Sequence, residues 1–138
     1  MSVAITVKYY LFQIGTSDFL HSFFSTVAYN LEDGIWGSKY PFLMKELYSG
    51  RLNNKNVGLA MEELVIIKEK LSGISVKNVV WDIEDLSKQP PWGDNISVDI
   101  TDLSNYFVTS EGEDLITVLI HAFEKAISLG EDVLIITI

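Results

Sequence analysis

Two histidines, His21 and His121, and 19 Asp and Glu are the groups with which this 138-residue chain could do chemistry, because it contains no cysteine. Without a thiol there is no thiolate nucleophile, disulfide framework, iron–sulfur cluster or common structural zinc site. Acyl transfer by a serine needs a histidine that the hydroxyl can reach. Both histidines fall outside the apolar stripe of their predicted helices, His121 among Asp114, Thr117 and Glu124, and both read as surface residues. Two isolated histidines also fall short of the three protein ligands that catalytic zinc takes. A calcium loop requires glycine at its sixth position, which is Asp99 counted from Asp94 and Ser87 counted from Asp82. No glycine-rich phosphate loop is present. Among so many carboxylates, some pair always meets a glycosidase spacing by chance. No motif here assigns catalytic residues, a cofactor or a metal, so none is expected, with an irregular calcium site among the carboxylates as the alternative.

The carboxylates are informative through their distribution. From Met1 to Trp81 there are seven acids and eight bases, from Asp82 to Asp114 nine acids against Lys88 alone, and from Leu115 to Ile138 three acids against Lys125. The middle segment thus carries −8 of a total of −9. A field of one sign steers an oppositely charged partner and speeds its association, while it argues against nucleic acid, which is held through Lys and Arg. Embedded in the segment are Trp81, Trp92 and the rigid pair Pro90-Pro91, and interfaces favour tryptophan as an anchor. Trp81 ends an apolar run and reads as core; Trp92 lies in a turn and is the better surface candidate; Trp36 reads as packing a helix connection. The candidate partner-binding residues are Asp82, Glu84, Asp85, Trp92, Asp94, Asp99 and Asp102. A solvated acidic loop with no partner is the plainer alternative.

The elements that must position these residues follow from periodicity. Val3 to Phe12 alternates as a first strand, and Thr16, Ser17 and Asp18 offer caps for a helix with apolar positions Phe19, Leu20, Phe23, Phe24, Val27 and Leu31, stopped by Asp33-Gly34. Pro41 opens a short second helix that Gly50 closes, and Asn56 opens a third lined by Ala60, Leu64, Ile67 and Leu71. Short strands are expected at Val79–Trp81 and Tyr106–Thr109, a fourth helix from about Glu113 to Leu129 ending at Gly130, and a closing strand from Val133 to Ile138. This order predicts one domain over residues 1–138, of α+β or α/β class, with two layers and a small mixed β-sheet against about four helices. No apolar run approaches the roughly 20 residues of a membrane span, and no signal-peptide pattern opens the chain, so a cytoplasmic protein is expected.

The stretches Asp18–Phe24, Trp36–Pro41, Trp81–Gly93 and Thr101–Ser110 together resemble the immunity protein 70 family of bacterial polymorphic-toxin systems, with Trp81–Gly93 the most specific. The resemblance implies a non-enzymatic cytoplasmic protein that protects its cell by binding a cognate toxin domain. It supplies no catalytic residues. Nucleases tend to be basic where they hold phosphates, so an acidic inhibitor fits a nuclease toxin. An acidic adaptor module with a basic partner unrelated to toxins, and an enzyme working with carboxylates alone, are the other readings of the same residues.

Overall fold

The alternation from Val3 to Phe12 is not one strand but a hairpin. In the computed structural model, which describes residues 1–138, β1 (Ser2–Val7) and β2 (Tyr10–Thr16) pair antiparallel across Lys8 and Tyr9. Lys8 sits at φ 54 in place of the Gly or Asn that usually marks such a turn, which is why the reversal leaves no signature in the pattern. β3 (Arg51–Leu52) pairs with β4 (Val133–Thr137), and β4 with β1, giving the order β2-β1-β4-β3. The fold is therefore α+β, with one correction: every pairing is antiparallel, so the sheet is not mixed. A two-residue turn joins only antiparallel strands, and no helix returns the chain to a parallel neighbour. The strand that ends the chain lies inside the sheet.

The helices cover one face of the sheet. Val3, Ile5, Val7, Ile14 and Val133 are buried there, while register places Thr6, Leu11, Leu134 and Ile136 on the opposite, open face. α1 (Ser17–Leu31) starts where the Thr16 hydroxyl accepts the Phe19 N–H at 3.1 Å. The second helix is a single π-helical stretch, Phe42–Leu47, whose Phe42 and Leu43 N–H groups are taken by the Glu63 carboxylate. α2 (Val57–Leu71) buries the expected Ala60, Leu64, Ile67 and Leu71; Asn56 does not cap it through its side chain, which instead donates to Glu46 at 2.9 Å. α3 (Leu115–Leu129) is capped by Asp114, which accepts the Thr117 N–H at 3.0 Å, and ends at Gly130 in the left-handed conformation.

The strands expected at Val79–Trp81 and Tyr106–Thr109 do not form. Between α2 and α3 the only regular structure is one 3₁₀ turn, Val76–Asn78, and Val108 makes a single bridge to Asp114. These short apolar runs are extended, but their hydrogen bonds go elsewhere.

One buried acid holds the connection after α1. Glu32 is 1% exposed, and its carboxylate accepts the N–H groups of Gly37 (3.0 Å), Lys39 (2.9 Å) and Tyr40 (3.0 Å). A buried charge is tolerated when donors surround it in this way. Glu32→Ala leaves those N–H groups without their acceptor and is expected to cost about 3 kcal/mol or more, read as a fall in the urea midpoint at constant slope.

Candidate functional site

α1 has a second, polar stripe beside its apolar one. Ser22, Ser25 and Thr26 are fully buried and face the irregular chain that follows Asn78. The Ser22 hydroxyl donates to the Val80 carbonyl (2.8 Å), and the Thr26 hydroxyl both accepts the Val80 N–H (3.0 Å) and donates to its carbonyl (3.1 Å). Ser25 accepts the Ile83 N–H at 3.2 Å, and the Asn30 amide donates to the Asn78 carbonyl at 3.0 Å. These side chains do for residues 78–83 what a neighbouring strand would do. Buried backbone groups demand partners, and here a helix supplies them.

His21, which reads as a surface residue in the sequence, completes the attachment. Its Nε2 lies 3.2 Å from Asp82 Oδ1, its Nδ1 lies 2.7 Å from the Tyr48 hydroxyl, and Trp36 stacks on its ring at 5.7 Å. A carboxylate only accepts, so Nε2 carries the proton facing Asp82, and in the neutral ring Nδ1 accepts from Tyr48. The order Tyr–His–Asp invites a catalytic reading, but the electrostatics oppose it. Burial, reinforced by Glu84 and Asp82, pushes the Tyr48 phenol up, away from an activated nucleophile. Asp82 is held below the usual carboxylate range by the Glu84 N–H and by His21. With both nitrogens engaged, the imidazole is a clamp between α1 and the acidic segment. The signal in the sequence is only that His21, Ser22, Ser25 and Thr26 share one side of a helix.

The candidate acids divide by what they hold. Asp82 takes His21, the Glu84 N–H (2.9 Å) and, at 3.6 Å, Lys88. Asp85 binds the Ser87 hydroxyl and N–H, and Asp102 the Ser104 hydroxyl and N–H; each carboxyl is lowered chiefly by its serine hydroxyl. Such short loops between a side chain and the backbone two residues on make local turns. Glu84, Asp94 and Asp99 are exposed and form no ion pair, and Asp99 only grazes Ser97 at 3.5 Å.

The seven residues do not form one cluster. Asp82, Glu84 and Asp85 lie at the His21 clamp, Asp94 beside Tyr106 in a cleft with Lys77 and Pro90, and Asp99 in another with Lys68, Asn105 and Asp114. Trp92 is half-buried: its indole N–H donates to the Tyr106 hydroxyl at 2.7 Å, and Trp81 meets it edge-on at 5.5 Å. Trp81 is likewise half-buried instead of a full core residue. The aromatic chain continues through Tyr106 and Phe107 to Phe19 and Phe23, tying the proline-rich turn to the core. What Trp92 still shows to solvent lines an apolar groove with Ile96, Ile100 and Val108.

The segment between α2 and α3 is thus long, without ladder pairing, pinned by side chains, and carries most of the charge. A family model described as immunity protein 70 matches residues 5–135. The chain belongs to the immunity protein 70 family. No curated protein and no solved structure matches it. An immunity protein has a toxin for its partner, and in this one the acidic segment between α2 and α3 is the irregular, charge-bearing surface. No helix is long and apolar enough to cross a membrane.

Two outcomes follow for this immunity protein. Thr26→Val removes the hydroxyl that both accepts from and donates to Val80, and is expected to destabilise by about 2 kcal/mol and to speed amide exchange at Val80 and Ile83 relative to the sheet. Asp82, Asp85, Asp102 and Asp132 all titrate below their ordinary value, Asp132 through Asn54 and Arg51. A carboxyl depressed in the folded state adds stability that is present above the unfolded value of about 3.9 and lost as pH falls through the folded value. Through these four carboxyls unfolding free energy is therefore expected to fall below about pH 4, less steeply in Asp132→Asn, while Glu63, whose carboxyl burial pushes up, contributes in the opposite direction, its share being lost as pH rises through its folded value.

Proposed function

We propose that this immunity protein acts in the cytoplasm without catalysis, neutralising a cognate toxin domain, a basic nuclease, by forming a complex across residues 82–114. The observation that carries the reading is that Glu84, Asp94 and Asp99 stand exposed and unpaired on a backbone fixed by α1, by local turns and by the aromatic chain. Carboxylates held this way face a cationic partner without first having to be ordered, which reduces the entropy lost on binding. Charge at the rim governs association rate, while tight binding comes from buried anchors. The apolar groove of Trp92, Ile96, Ile100 and Val108 supplies such anchors beside the acids. A nuclease cleft made basic to hold phosphates is the natural complement.

The test is co-expression with the toxin domain encoded beside the gene, scoring survival, inhibition of nuclease activity and binding kinetics. Glu84→Gln, Asp94→Asn and Asp99→Asn combined leave every structural carboxylate in place. The triple variant is expected to fold normally and to associate about tenfold more slowly at low salt, with the difference shrinking as salt is added. Unchanged kinetics with intact protection would place the interface elsewhere, and failure of the wild type to protect would overturn the reading.

A further inference from the structure

The sheet has one long edge that remains largely unpaired. β2 pairs only with β1, and on its outer side a single bond is made, from the Ser110 N–H to the Ile14 carbonyl at 3.0 Å. The antiparallel pleat turns alternate N–H and C=O groups outward, and those between Tyr10 and Gln13 receive no backbone partner. Sheet proteins usually guard such an edge with lysine, proline or an inward charge. Here Tyr9 to Ser17 contains neither a charge nor a proline, and Tyr9, Tyr10 and Leu11 are exposed; Lys8 and Lys125 lie over the Tyr9 and Tyr10 rings at the hairpin end, and Leu11 to Gln13 has no such cover.

What flanks the edge indicates what it accepts. Leu11, Phe12 and Gln13 share a recess of about 260 Å³ with Glu111, Glu113 and Val118. Glu111 and Glu113 are exposed and make no ion pair. A second copy placed by two-fold symmetry would bring its own Glu111 and Glu113 towards the same rim, like charge against like. An extended segment bearing Lys or Arg meets the opposite case. The turn that carries these acids is the end of residues 82–114, and Val108 joins it to the groove of Trp92.

We propose that β2 is a docking edge at which an extended, basic strand of the toxin adds to the sheet, its backbone pairing with Tyr10–Gln13 and its cationic side chains facing Glu111 and Glu113. The inference rests on the immunity reading and names the part of the partner that binds. Main-chain pairing would give the affinity and the acidic rim the choice of strand.

The experiment uses the full chain and the toxin domain encoded beside its gene. Leu11→Lys places a charge in the middle of the edge, at a side chain 49% exposed; Gln13→Lys is the second variant should the first misfold, and Glu111→Gln with Glu113→Gln tests the rim. We expect both kinds of variant to keep the wild-type melting temperature and to bind at least about tenfold more weakly. Amide exchange within Tyr10–Gln13 is expected to slow in the complex. Wild-type affinity in the variants, or protection that leaves these amides untouched, overturns strand addition while the immunity reading stands. A wild type that neither binds nor protects overturns the reading beneath it. A free chain that is a dimer, made monomeric by Leu11→Lys, overturns the basic strand in favour of a second copy.

Discussion

The structure depends on how the backbone between α2 and α3 satisfies its polar groups. Residues 72–114 pass from one helix to the next with one 3₁₀ turn and no strand, and structureless connections of this length are uncommon unless they serve a function. Part of this stretch faces solvent, but Val80 and the residues around it are packed against α1. Ser22, Ser25, Thr26 and Asn30 meet that demand with side-chain hydrogen bonds. Hydroxyls inside a helix are slightly unfavourable for the helix itself, so their presence on its buried side is explained only by what they hold. α1 thus works in two directions, with an apolar stripe into the core and a polar stripe into the acidic segment.

This double use explains what could be read in the sequence. The helices were legible because Phe19, Phe23, Phe24, Leu64, Leu119 and Phe123 recur at helical spacing and are buried where that spacing places them. The hairpin was not, because Lys8-Tyr9 lacks turn chemistry and both strands are apolar enough to read as one. β3 is too short to carry a pattern, and the missing strands show that an apolar run signals burial without saying who pairs with it. At the candidate site, charge and tryptophans were visible along the chain, but contacts such as His21 to Asp82, 61 positions apart, have no local signature. A histidine outside an apolar stripe reads as solvated until the segment that covers it is placed.

Packing nine carboxylates into one segment would by itself favour an expanded chain, since like charges repel. The structure counters this with bonds that need the charge. Asp82, Asp85, Asp102 and Asp114 each accept N–H or hydroxyl donors within a few residues, so repulsion is offset by charge-assisted turns. The acids that remain free are Glu84, Asp94 and Asp99, apart from one another along the segment, and the pair Glu111 and Glu113 at the recess beside β2. Their field is broad and their mutual repulsion is reduced by separation and by salt.

The same division separates the residues that build the surface from those that meet a partner. Asp82 and Asp102 were as plausible as Glu84 when judged by charge alone, yet substituting them disturbs turns and clamps before it disturbs any contact. Trp92 belongs to both groups, with its N–H given to Tyr106 and the remainder of its ring exposed in a groove. A surface of this kind is rigid without being regular. Its geometry comes from side chains that secondary structure does not require: the hydroxyls of α1, the carboxylates of Asp82, Asp85 and Asp102 in their local turns, and the aromatic chain that runs to the core.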